Sequence, residues 1–191
     1  MPNINDNSSL TFPFNYEHQG HAWAVINHFH IRREIMDGIF QLLEKFFSKT
    51  SKLTAIRMEL NMKQGTIDNQ PISHFFKQLK HKLIRHYGPC YHGYIWVREK
   101  ARSRAQHYHL ALLLDGQKVK HSDNIYRLAK AEWTYGYLSL AENPFYHVHH
   151  DRLDEHRLLI YRLSYLAKAE TKGDRPPAIK DYQISRSIRR Q

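Results

Sequence analysis

The chain has 191 residues, enough for one domain with a sizeable core, and its 41% hydrophobic and 25% charged residues match an ordinary globular protein. Its charge is unusual: 29 Lys and Arg stand against 18 Asp and Glu, a net of +11 with histidine neutral, which draws it to polyanions, nucleic acid first among them. The single cysteine, Cys90, excludes an intrachain disulfide or a Cys-based zinc site. A basic surface without a specific partner would have the same composition.

Residues 1–20 are polar, with little periodicity, and read as a surface arm; nothing in MPNINDNSSL suggests a signal peptide. A helix is predicted over 22–48, where Ile31, Ile35, Ile39, Leu42, Leu43 and Phe46 recur at three and four. A strand follows over 53–62, then a turn cluster (KQGTIDNQ) and a helix opened by Pro71 and ended by Gly88-Pro89. Strands over 91–99 and 107–114 flank the basic loop KARSRAQ as a hairpin. Beyond Asp115-Gly116 come a helix over 122–133, a short strand within YGYLSL and a last helix over 152–170.

This order predicts an α+β domain over 21–172: an antiparallel sheet with a ferredoxin-like split β-α-β core and helices on one face. Residues 173–191 are basic, interrupted by Pro176 and Pro177, and read as a tail. No stretch reaches the length of a membrane span, so no membrane partner and a cytoplasmic location are expected.

His-x-His occurs three times among 15 histidines, and composition alone gives an apolar-centred case on the order of once in two such chains. His28 and His30 fall in helical periodicity, where i and i+2 diverge by roughly 200°. His147, His149 and His150 read as a surface loop cluster. Only His107 and His109 lie on a clear strand, where i and i+2 point the same way. The hairpin returning through KARSRAQ brings Glu99 back beside His107. Two imidazoles and a carboxylate leave positions open for water and a phosphate oxygen, the requirement for Lewis-acid work on a phosphodiester. A solvated Glu in a basic turn has the same local pattern.

In LLIYRLSYLAKAETK, Leu159, Leu163 and Leu166 form an apolar stripe, while Tyr161, Tyr165, Lys168 and Lys172 cluster within roughly 60° on the other side. A phenol with pKa about 10 needs a cationic neighbour or a base to act as a nucleophile, and Lys168 can supply that charge to Tyr165. Amphipathic Tyr and Lys side chains covering a helix surface would look the same.

Together these motifs resemble the HUH endonucleases. HYHLALLL is similar to their His-hydrophobe-His motif, the Glu of WVRE to the carboxylate of viral rolling-circle initiators, and SYLAK to their Tyr-x-x-Lys nucleophile motif. The combination, over residues 53–172, is similar to the inovirus gene-two-like, replication-associated proteins of prophages. The resemblance implies metal-assisted attack by Tyr165 on a DNA phosphate, leaving a 5′-phosphotyrosine and a free 3′-hydroxyl. It implies Mg²⁺ or Mn²⁺ on Glu99, His107 and His109, Mn²⁺ being the easier fit to imidazole. Lys168 would serve the phosphate or phenolate, and Tyr161 matches a second tyrosine by spacing only. The substrate would be single-stranded or hairpin DNA met by Lys100, Arg102, Arg104 and Lys172, with unwinding left to a host helicase. A non-catalytic DNA-binding or host-protein-binding prophage protein on the same fold is the alternative.

Overall fold

The computed structural model describes residues 14–26, 30–99, 105–169, 179–186 and 188–190. It opens with a hairpin, β1 (Asn15–His18) and β2 (His21–Ala24), which turns at Gln19 and Gly20, both at positive φ. Tyr16 is buried and its hydroxyl donates to Asp37 at 2.7 Å. Residues 15–24 are therefore paired strand, neither arm nor helix as the periodicity predicts: Gly20 supplies the left-handed turn, and pairing with β1 takes up the backbone groups of β2. The first helix, α1, runs over Arg33–Phe47 and buries Ile35, Ile39, Leu42 and Phe46.

Strand β3 (Lys52–Met62) leads to α2 (Gln70–Tyr87), β4 (Tyr91–Glu99) and β5 (His107–Asp115). Then come α3 (Asp123–Glu132), β6 (Gly136–His149) and α4 (Leu153–Leu163), completing four helices among the described residues. Short strands β7 (Tyr182–Ile184) and β8 (Arg189–Arg190) complete the order. The main sheet is antiparallel in the order β6-β3-β5-β4-β7, and β8 also pairs with β4. The fold is α+β. No helix among the described residues is long and apolar enough to cross a membrane.

The sheet is covered on both faces, not on one. Ala111 and Leu113 of β5 pack with α1 and α4, while Tyr108, Leu110, Leu112 and Leu114 pack with α2 and α3. The reason lies in β3 and β5, which are buried along nearly their whole length and so present no solvent face. The odd residues of β5 include His107 and His109, which places both on the α1–α4 side.

The strand expected within YGYLSL is 14 residues long. It begins where only glycine fits, since a Cβ on Gly136 would collide with the carbonyl oxygen of Asn61. Its middle bows out: Ile56 pairs with Phe145 but Met58 with Leu140, so residues 141–144 bulge opposite Arg57, with Asn143 at φ 47°.

The segment predicted as a tail adds strands to the β4 edge. Tyr182 pairs with Val97 and Ile184 with Ile95, and Arg98 donates its backbone N–H to the Asp181 carbonyl at 2.6 Å. The Asp181 carboxylate pairs with Arg32 at 2.5 Å. An open edge of β4 needs partners for its N–H and C=O groups, and the alternating Tyr182 and Ile184 provide them with an apolar inner side. Ile184 lies against Gly38 of α1, where a Cβ would clash with it. Ile184→Ala should therefore cost about 1–3 kcal/mol in urea unfolding, somewhat below the range for a fully buried isoleucine. A solvated tail would lose nothing measurable.

Candidate active site

Register brings the sequence-predicted ligands together. Glu99 of β4 stands directly opposite His107 of β5, and His109 stands opposite Val97 on one side and Glu59 of β3 on the other. The Nε2 atoms of His107 and His109 lie 3.2 Å apart. Glu99 Oε2 is 3.5 Å from the first and 3.3 Å from the second. The side chains of Glu99 and His109 are only 5% and 10% exposed, while that of His107, at 25%, opens toward solvent.

The donor set fits a divalent cation. Ligands at about 2.1 Å from one ion and at right angles stand about 3 Å apart, close to the spacing of these three atoms. Two imidazole nitrogens turned toward each other at this distance repel unless a proton or a cation lies between them. The carboxylates on either side of His109 also favour positive charge at this point. Burial opposes the imidazolium, yet hydrogen bonding to Glu59 and Glu99 and their negative charges outweigh it and push the pKa up to about 9. The centre demands positive charge.

Glu59 was not among the residues the sequence suggested. Its Oε1 lies 3.4 Å from His109 Nδ1, so it accepts that N–H and leaves Nε2 facing Glu99 and His107. The hydrogen bond to His109 holds the Glu59 carboxyl below its usual range. A carboxylate on the far nitrogen of a ligating histidine fixes tautomer and ring orientation. Alternation in AIRMEL was the available signal: Ala55, Arg57 and Glu59 share one face of β3.

Arg57 is the second addition. It is 8% exposed, donates to the Glu142 carbonyl at 2.9 Å in the β6 bulge, and forms no ion pair among the described residues. Burial lowers its pKa, with Arg162 adding to that effect, while the nearby Tyr146, Tyr165 and Glu59 oppose it.

Tyr165 reaches this face by a route different from the predicted one. α4 stops at Leu163 and the chain tightens into a 3-10 turn over Ser164–Ala167. Ser164 anchors that turn, accepting from Ile26 N at 2.9 Å and donating to the Tyr161 carbonyl at 2.6 Å. The Tyr165 ring meets His109 edge-on, with centroids 5.2 Å apart at 81°. Its pKa is raised, first by burial and then by the charges of Glu99 and Glu59, while Arg57 pulls it down.

Lys168 stays beside Tyr165, its Nζ 5.3 Å from the ring centroid, but from extended backbone bridged to Ile31 and not from helix. It is buried, where helical periodicity through 170 would leave it on the outer side. Tyr161 lies instead under the Arg162 guanidinium, 5.7 Å from its ring centroid. Lys100, Arg102, Arg104 and Lys172 lie outside the described residues.

The other His-x-His patterns fall elsewhere. His28 is outside the described residues, and the His30 carbonyl accepts from Ala169 N at 2.8 Å, ahead of the helix and not within it. His147 and His149 belong to β6 and not to a loop; His147 Nδ1 lies 2.9 Å from Thr54 Oγ1. His149, His150 and Asp151 form a second group close enough to share an ion, at the sheet's outer end.

With these contacts in place, the comparison with known proteins adds a family. A model of the YagK/YfjJ C-terminal domain matches residues 18–178. The chain belongs to that family. No curated protein and no solved structure matches it. The family match takes in Arg57, Glu59, Glu99, His107, His109 and Tyr165, and ends before β7.

Proposed function

We propose that the chain is a metal-dependent enzyme of the HUH endonuclease kind that nicks and joins single-stranded or hairpin DNA. The reaction would start rolling-circle replication of a phage or mobile element. The observation that carries this reading is the Tyr165 ring against His109, in a cluster where Glu99, His107 and His109 converge on one sheet face. The order β6-β3-β5-β4, built from two strand–helix–strand units, supports a ferredoxin-like core as in the resembling initiators. The net charge of +11 suits a polyanionic substrate.

Tyr165 attacks the phosphorus of a bound phosphodiester. The bond from its phenolic oxygen to phosphorus forms as the bond from phosphorus to the 3′-oxygen breaks. The phenolic proton passes to solvent, and the departing 3′-oxygen takes one up to become a hydroxyl. The products are a 5′-phosphotyrosine link and a free 3′-end; joining is the reverse. A divalent ion, Mg²⁺ or Mn²⁺, on Glu99, His107 and His109 would supply Lewis-acid polarisation of a phosphate oxygen. Glu59 holds His109 in the ligating tautomer. Arg57 and Lys168 are the cations beside Tyr165 that can meet the charge of the phosphate.

The test is incubation with end-labelled single-stranded DNA and Mn²⁺, then a denaturing gel. A labelled band that migrates with the protein and is lost in EDTA is expected. Tight DNA binding with no covalent band under any divalent metal would overturn the catalytic reading.

A further inference from the structure

The opposite face of the sheet carries a second feature, which the cluster around His109 does not use. A cleft of about 560 Å³ opens between α2 and the edge formed by β4 and β7. Its wall is an aromatic pair: Phe76 of α2 and Tyr94 of β4 stack at 3.9 Å between centroids and 22° between planes. Gln183 of β7 donates to the Tyr94 hydroxyl at 3.0 Å, which holds the pair in place. Lys77 and Lys80 rise from α2 on one side, and Arg186 stands on the other. Among the described residues, no Asp or Glu lines the cleft, and Lys77, Lys80 and Arg186 form no ion pair.

We propose that this cleft holds a segment of single-stranded DNA at a distance from the reacting phosphate. The proposal takes its substrate class from the nicking reading above. Three like charges without acidic partners repel one another, and phosphates relieve that repulsion. Half-buried aromatic rings held by a hydrogen bond are a platform for base faces, which stack on them with little regard to sequence. A duplex keeps its bases stacked on each other and cannot use the platform, so the cleft prefers single strands. An acidic peptide would meet the lysines but leave the aromatic pair without a partner. Tyr94 precedes Glu99 on β4 by five residues, about 16 Å of strand, so the cleft and the His109 cluster are separate places on one rigid sheet.

Fluorescence anisotropy of a labelled twelve-residue oligo-dT in EDTA tests the cleft without the metal cluster. Lys77→Ala with Lys80→Ala should weaken binding about tenfold or more and lower the log–log salt slope by about 1.4, at about 0.7 per lost phosphate contact. Phe76→Leu keeps an apolar side chain but removes the stack; it should weaken oligo-dT about tenfold and a duplex of equal length much less. Mn²⁺ binding and the unfolding midpoint of each variant report an intact fold; Lys77 is exposed and Lys80 half-buried. Unchanged affinity and slope in the lysine variant would overturn the proposal. So would equal loss for single strand and duplex in Phe76→Leu. Loss of binding in a protein that forms no adduct would leave the cleft standing and sink the nicking reading. An adduct-forming protein whose cleft variants bind normally would do the reverse.

Discussion

Tyr165→Phe is expected to remove the covalent protein–DNA adduct, by at least about a thousandfold in rate, while Tyr161→Phe retains much of it. The two phenols are four residues apart, and a continuous helix would set them on one face with similar access. The chain breaks that equivalence. α4 ends at Leu163, and the tighter 3-10 turn redirects the side chains it carries, so Tyr165 packs edge-on to His109 while Tyr161 meets Arg162. Phenylalanine keeps the ring and its contact with the imidazole but has no oxygen to bond phosphorus, so the fold and metal affinity should survive. Mass spectrometry of a trapped adduct should place the nucleotide on Tyr165. An adduct on Tyr161 alone would move the nucleophile within the same chemistry.

The strands that bear the site were legible because their side chains are apolar and their breakers sharp: Gly88-Pro89 before β4 and Asp115-Gly116 at the end of β5. Pairing of Glu99 with His107 came from treating KARSRAQ as a hairpin connection, and the register agrees. What escaped was non-local. Glu59 and Arg57 reach the site only because β3 pairs with β5, across a helix and a strand of intervening sequence. The β1–β2 hairpin was hidden because two strands of four residues leave little alternation to detect among polar neighbours. β7 was masked by its basic, proline-interrupted surroundings, since three residues of strand leave almost no periodicity to detect. The end of α4 was invisible for another reason: nothing local in SYLA marks a break, and the turn is held by distant partners, with bonds from Ile26 N to Ser164, from Arg32 N to the Ala167 carbonyl and from Ala169 N to the His30 carbonyl, beside the Ile31–Lys168 bridge.

His107→Ala and Glu99→Gln should each lower Mn²⁺ affinity by about a hundredfold or more and abolish cleavage, with little loss of folding stability. Substitutions one shell further out typically cost about 10–100-fold, so loss of a direct ligand should reach or exceed the top of that range. Folding should be spared because neither change touches the apolar side chains that pack the two faces of β5, Ala111 and Leu113 toward α1 and α4 and Tyr108, Leu110 and Leu112 toward α2 and α3. Removing Glu99 also relieves a carboxylate that is nearly excluded from solvent, and glutamine keeps its volume. Glu59→Gln makes the sharper test, because it alters no atom on the ligand side of His109. It should reduce Mn²⁺ affinity about 10–100-fold by loosening the Nδ1 hydrogen bond that turns Nε2 inward. Isothermal titration with Mn²⁺ across the three variants, beside their unfolding curves, reads all of this at once. Equal Mn²⁺ affinity in the parent protein and in His107→Ala would remove the metal from Glu99, His107 and His109. The three would then be left as a proton-sharing cluster beneath Tyr165.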